Sequence, residues 1–148
     1  MKVNEIFTSI DGEVNKWGQG AITTFIRLSG CNLSCSYCDT DHQSSREMTI
    51  TEIMAAVPTP KLTITGGEPL LQSDIFFLIQ ALWKKGHIVS IETNGTKYIP
   101  FEFFRDDSIN WIIDYKFDSP PVHELDKIPD SHFLKFVISS KEEFDKAL

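Results

Sequence analysis

No apolar run in this 148-residue sequence approaches the roughly 20 residues that a membrane-spanning helix requires, and the N-terminal MKVNEIF has no signal-peptide core. A cytoplasmic protein without a membrane partner is expected. Basic residues are also scarce, 14 lysines and arginines against 21 aspartates and glutamates, for a formal net charge of −7. With no basic run interleaved with aromatics, such a surface repels polyanions and argues against RNA or DNA as partners. A small-molecule substrate is expected instead. Internal repeats, low-complexity segments and linkers are absent, so the length fits a single domain. The 41% hydrophobic content and 11 phenylalanines exclude a disordered chain.

Cysteine is rarer still. There are three, and all fall in GCNLSCSYCDT, residues 30–40: Cys31, Cys35 and Cys38. Three thiolates on one short loop can face zinc, an iron–sulfur cluster, or form a redox pair at Cys35 and Cys38. Structural zinc needs a fourth protein ligand, from Asp39, His42 or a distant histidine. A 4Fe-4S cluster usually has four cysteine ligands, so three would leave one iron open to another molecule. The loop by itself leaves these alternatives open. The histidines His42, His87, His123 and His132 have no ligand spacing among themselves and read as surface or structural groups.

Residues 9–20, SIDGEVNKWGQG, read as a loop. Strands are expected at 22–28 (ITTFIRL), 61–65 (KLTIT), 88–92 (IVSIE), 111–116 (WIIDYK) and 133–139 (FLKFVIS). Helices are expected at 49–57, at 74–85 with Ser73 as N-cap and Gly86 at the C-terminus, and from Ser140 onward with Glu143 completing a capping box. Strands alternating with helices predict an α/β fold with parallel strands, a partial (β/α) barrel. The cysteine loop, Gly66–Pro69, Thr93–Gly95 and Asp114–Asp118 then all fall at strand C-termini, where such folds carry their sites.

Within 22–28, Thr23, Phe25 and Arg27 share one face. A guanidinium on a nearly apolar strand requires an anion, either a protein carboxylate or one on a substrate. Gly66 and Gly67 permit close approach to the backbone, and Glu68, fixed next to Pro69, is placed to accept an ammonium. Thr93 and Asn94 offer polar groups suited to a ribose or carboxylate. Tyr37 can stack on a purine or cover the cysteines.

CNLSCSYC followed by TGGEP resembles the radical S-adenosylmethionine superfamily. The resemblance implies a 4Fe-4S cluster on Cys31, Cys35 and Cys38, with the amino and carboxylate groups of S-adenosylmethionine on the open iron. Tyr37, Gly66, Gly67, Glu68, Thr93, Asn94 and Lys116 are its implied contacts, with Glu68 meeting the methionine amine. EIFTSIDGE, FIRLSGCNLSCSYCDT, ITGGEPLLQ and IETNG, in that order, further resemble the 7-carboxy-7-deazaguanine synthase family.

That resemblance implies a radical-mediated ring contraction of 6-carboxy-5,6,7,8-tetrahydropterin with loss of ammonia, in queuosine and 7-deazapurine biosynthesis. Asp11, Gly12, Glu13 and Arg27 would bind the pterin, Thr40 would hold Mg2+, and no side chain is assigned a catalytic role of its own. It also implies a reductant such as flavodoxin or ferredoxin, a homodimer, and further C-terminal elements near the substrate in other members. Asp11 stands where the family commonly has glutamine, Val14 where it has a second glycine, and Asp114-Tyr115-Lys116 where many members have Ser-Pro-Lys. A glycyl-radical activating enzyme shares the cysteine spacing, but FIRLSGC and CysAspThr argue against it. A non-catalytic zinc or iron–sulfur module is the rival from another class.

Overall fold

The computed structural model describes residues 1–38, 40–41 and 44–148, apart from the side chain of Leu125; Asp39 and His42, weighed above as zinc ligands, lie outside the described residues. Its centre is a seven-stranded open sheet. The strands are β1 (Lys2–Ile10), β2 (Ile22–Leu28), β3 (Arg46–Glu47), β4 (Lys61–Gly66), β5 (Ile88–Thr93), β6 (Ile109–Tyr115) and β7 (Phe133–Phe136). Their order is β3-β1-β2-β4-β5-β6-β7. From β2 to β7 neighbours run parallel, whereas β1 pairs antiparallel with both β2 and β3 at one edge.

The five expected strands are present, and β1 extends the sheet into what read as loop, since Ser9 and Ile10 still pair with Thr23 and Ile22. The α-helices are α1 (Ile50–Ala55), α2 (Ile75–Lys84) and α3 (Lys141–Ala147). Thr49 caps α1 in a full capping box with Glu52. Asp74, not Ser73, is the N-cap of α2, without a side-chain bond. Ser140 caps α3 by accepting from Glu143 N, but the Glu143 carboxylate turns to Ser139, so the expected box closes one residue early. Between β5 and β6, and between β6 and β7, the described crossovers contain 3-10 turns, Phe101–Phe104 and Leu125–Lys127, in place of α-helices.

Period-two alternation assigns the faces. Ile26, Leu28, Leu62, Ile64, Val89, Ile91, Trp111 and Ile113 are fully buried and join Ile53 of α1 and Ile75, Leu78, Ile79 and Leu82 of α2 in one core. The opposite face is polar yet also buried: Thr23, Thr63, Ser90 and Asn110 are fully covered. The β1–β2 loop crosses beneath this face, where Lys16 N donates to Asn110 Oδ1 at 3.4 Å. Asn110 in turn donates to Ser131 O at 2.9 Å.

Two of the histidines are structural, in line with the sequence reading. His123 Nε2 accepts from Ile99 N at 2.9 Å. His132 Nδ1 accepts from Trp111 N at 3.2 Å, while its Nε2 lies 3.0 Å from Phe104 O. That pairing requires the neutral tautomer with the proton on Nε2, and burial holds the His132 pKa below the ordinary histidine range. A depressed folded-state pKa means that the unfolded chain binds more protons, so stability falls as pH drops through about 6.5 toward the folded-state value. Thermal melts between pH 7.5 and 5.5 should therefore show a shallower acid-side loss in His132→Asn than in the wild type. An equal slope would remove His132 as a source of acid sensitivity.

Candidate active site

Parallel strands deliver five loops to one edge of the sheet. There they enclose a cavity of about 430 Å³ whose lining includes Cys31, Cys35 and Cys38. Close backbone packing sets the cysteine loop against the end of β4. A Cβ on Gly66, whose φ is +128°, would lie 2.0 Å from Leu28 O, and one on Gly67 would lie 2.0 Å from Gly30 O. Only glycine fits at both positions. Gly67 N and Glu68 N then donate to Leu28 O and Gly30 O at 3.0 and 2.8 Å.

Of the positions singled out from the sequence, Glu13, Arg27, the cysteines, Tyr37, Thr40, Gly66, Gly67, Thr93, Asn94 and Lys116 line this cavity; Asp11, Gly12 and Glu68 do not. Glu68, expected to meet an ammonium, has protein donors of its own. Its carboxylate is fully buried and accepts from Leu70 N (2.9 Å), Thr93 Oγ1 (2.8 Å) and Asn94 N (2.7 Å). Burial raises its pKa against these hydrogen bonds. Thr93 spends its proton on Glu68 and accepts from Gly95 N at 3.1 Å. Asn94 donates to Asn32 Oδ1 of the cysteine loop at 3.1 Å and accepts from Thr96. Both side chains thus brace the walls of the cavity that they line. Asp11 is 1% exposed and ion-paired with Lys61 at 2.9 Å, so it is an internal anchor. The exposed Gly12 accepts from Gln19 Nε2 through its carbonyl.

Arg27 has the protein carboxylate that its strand required. Its Nε donates to Glu5 Oε1 at 2.9 Å, its guanidinium lies over the Phe7 ring, and Nη1 donates to Thr40 Oγ1 at 3.3 Å. Thr40 also borders a second, polar recess lined by Asn4, Glu5, Arg27 and Asp41.

Two charged cavity residues escaped the sequence reading. Lys135 on β7 lies 3.1 Å from Glu13 Oε1 and 3.0 Å from Asp114 Oδ1. Asp114 Oδ2 meets Lys116 Nζ at 3.1 Å, and that ammonium lies 5.2 Å from the centre of the Tyr37 ring. Burial opposes the charge on Lys135, but Asp114 and Glu13 outweigh it and hold the ammonium above the ordinary lysine range. Glu92 on β5 accepts from Thr65 Oγ1 at 2.6 Å, and burial pushes its pKa up. A lone charge in an apolar strand, the pattern that picked out Arg27, is present in both FLKFVIS and IVSIE.

Three cysteine thiols line the cavity. Each cysteine of a cubane cluster binds its own iron, so three thiols spread around one cavity match that donor set. All three are free, and Leu33 N donates to Cys31 Sγ at 3.5 Å.

Residues 25–123 match the model of the Radical SAM superfamily. A protein from Methanospirillum hungatei named 7-carboxy-7-deazaguanine synthase is 41% identical over 99% of this chain and 65% of its own length. Proteins of the same name from Bacteroides thetaiotaomicron and Clostridium acetobutylicum are 46% and 36% identical over 75% and 99% of this chain and 58% and 72% of their own lengths. The chain thus spans about three-fifths to two-thirds of the first two relatives. The crystal structure of QueE from Escherichia coli superposes with a TM-score of 0.75 at 19% identity, covering 99% of this chain and 75% of that one, and this likeness is one of fold.

Glu92 gives the site a measurable signature. A folded-state pKa above the unfolded value costs stability as pH rises from about 4.5 through the folded pKa, and the full cost remains above it. Glu92→Gln keeps an acceptor for Thr65 without the buried charge. The variant should melt a few degrees higher than the wild type at pH 8, with the gain shrinking toward pH 4.5. A variant that melts lower at pH 8 would show that the carboxylate is stabilised where it lies.

Proposed function

This chain belongs to the radical SAM superfamily, and on that premise we propose that it is a 7-carboxy-7-deazaguanine synthase acting on 6-carboxy-5,6,7,8-tetrahydropterin. One observation carries the reading: Glu13 and Arg27 open into the same cavity as the three cysteines. Substrate-reading groups and cluster-holding groups therefore address a single volume.

Cys31, Cys35 and Cys38 would hold the 4Fe-4S cluster, with S-adenosylmethionine against the Gly66–Gly67 backbone, Tyr37 and Lys116. When bound, this pair supplies the 5′-deoxyadenosyl radical that takes a hydrogen from C6 of the pterin. The protein's own groups bind and orient. Glu13, an acceptor-only carboxylate, suits the N–H donors of an aminopyrimidine edge. Arg27 pairs with Glu5 through Nε and directs Nη1 toward Thr40 at the cavity wall, and a substrate carboxylate would be met by its Nη2. Lys116 and Lys135 balance Asp114 and Glu13, so an anionic ligand meets no net negative wall. Thr40, between the cavity and the recess bearing Glu5 and Asp41, offers the hard oxygen surroundings that Mg2+ prefers. A flavodoxin- or ferredoxin-type donor, a homodimer and a cytoplasmic location complete the proposal. Among the described residues, no helix is long and apolar enough to cross a membrane.

Anaerobic reconstitution with iron and sulfide, followed by incubation with reductant, S-adenosylmethionine, Mg2+ and the carboxytetrahydropterin, should give 7-carboxy-7-deazaguanine without net consumption of S-adenosylmethionine. A brown, cluster-loaded protein that cleaves S-adenosylmethionine but yields no deazaguanine would defeat the assignment of substrate. Thr40→Ala should leave the cluster spectrum intact and raise the Mg2+ concentration needed for half-maximal rate by about tenfold, the loss of one good ligand contact. An unchanged Mg2+ response would take Thr40 out of that role.

A further inference from the structure

The loop that carries Glu13 buries Asp11 and Asn15, whereas its Val14 side chain is half exposed. It is held by buried polar groups. Asp11 N donates to Ala21 O at 2.9 Å and Gly20 N to Asp11 O at 2.8 Å, which closes the loop at its base. Beneath it the Lys61 ammonium, the first residue of β4, lies 2.9 Å from Asp11 Oδ2 and 3.2 Å from Asn15 Oδ1; the Lys61 and Asp11 side chains are 7% and 1% exposed. Asn15 Nδ2 and Thr63 Oγ1 also donate to Asp11 Oδ2, at 3.1 and 3.3 Å. The other oxygen, Asp11 Oδ1, accepts from Glu13 N at 3.1 Å.

We infer that Lys61 is a positioning residue for Glu13, acting through its buried ion pair with Asp11. A buried ion pair adds little net stability compared with an apolar replacement, because desolvation offsets attraction. Its effect lies in geometry. The carboxylate is fixed by Lys61 on one side, and on the other it fixes the backbone amide of the residue whose side chain faces the substrate. Lys135 holds the far end of the same residue, at Glu13 Oε1. β4 therefore sets the Glu13 loop with its first residue and the Gly66–Gly67 turn with its last, tying the substrate side of the cavity to the cofactor side.

This inference rests on the functional reading above for its kinetic test. In the cluster-loaded full chain, Lys61→Met leaves Asp11 charged and unpaired, and should raise KM for the carboxytetrahydropterin about tenfold with kcat within twofold of wild type. Cleavage of S-adenosylmethionine without pterin should be unchanged. Lys61→Arg, which keeps the cation, should stay within threefold in KM, and Asp11→Asn with Lys61→Met, which removes both charges, should return KM to within threefold. Amide hydrogen exchange over residues 11–20 should quicken in Lys61→Met and slow again in the double variant. A KM within twofold of wild type in Lys61→Met, a fall in kcat that matches the rise in KM, or a double variant no better than the single would overturn the proposal. If the wild type makes no deazaguanine, the functional reading fails and exchange decides: unchanged protection in Lys61→Met then rules out the anchor.

Discussion

The Glu68 carboxylate has no exposed surface, and its two oxygens take the Leu70 and Asn94 backbone amides and the Thr93 hydroxyl. Through those bonds the ends of β4 and β5 are fixed to each other. The arrangement then propagates outward. Asn94, held by Glu68 through its backbone, reaches the cysteine loop through Asn32, while Glu68 N holds Gly30 O from the other side. The loop of three cysteines is thus tied to β4 and β5 in part through one buried acid. Burial raises the pKa of that acid, and three donors work against the cost. Removal of the acid would leave three donors unsatisfied at the place where the strands meet, a larger penalty than the loss of any one surface contact.

A second constraint comes from the polar face of the sheet. Thr23, Thr63, Ser90 and Asn110 would expose hydrogen-bonding groups on a sheet face that parallel folds usually bury under apolar helices. The β1–β2 loop covers that face at the base with polar partners of its own, Asp11, Asn15 and Lys16. The polar face therefore has two regions. One is sealed by the loop, and the other, toward the strand C-termini, remains an open cavity lined by three acids and three bases: Glu13, Glu92, Asp114, Arg27, Lys116 and Lys135.

The sheet was legible in the sequence because β-branched runs bounded by glycine and proline mark strands regardless of context. The β2 bounds follow ITTFIRL residue for residue, and the strand-end loops gather at one edge as parallel topology requires. Less legible were features set by distant partners. Ser9 and Ile10 read as loop because DGE follows them, yet pairing with Thr23 and Ile22 draws them into β1. Glu68, Thr93 and Asn94 have the chemistry of ligand-binding groups, and only the fold reveals that they satisfy one another. Lys135 and Glu92 carried a usable signal, a single charge in an apolar strand, the same one that identified Arg27.

These pairings decide how the cavity is built. Glu68, Thr93 and Asn94 bond to one another at the walls, and the cavity lining also carries the glycine backbone and charges from β2, β5, β6 and β7. Backbone at Gly66 and Gly67 is fixed by packing so close that no side chain fits, which suits a cofactor that must be held in one pose beside the cysteines. The charged side chains are longer and pair among themselves, Lys135 with both Glu13 and Asp114, and Lys116 with Asp114. A substrate that takes Glu13 from Lys135 leaves that ammonium with Asp114 still 3.0 Å away. Binding then exchanges one partner for another without stranding the Lys135 charge in a partly buried site.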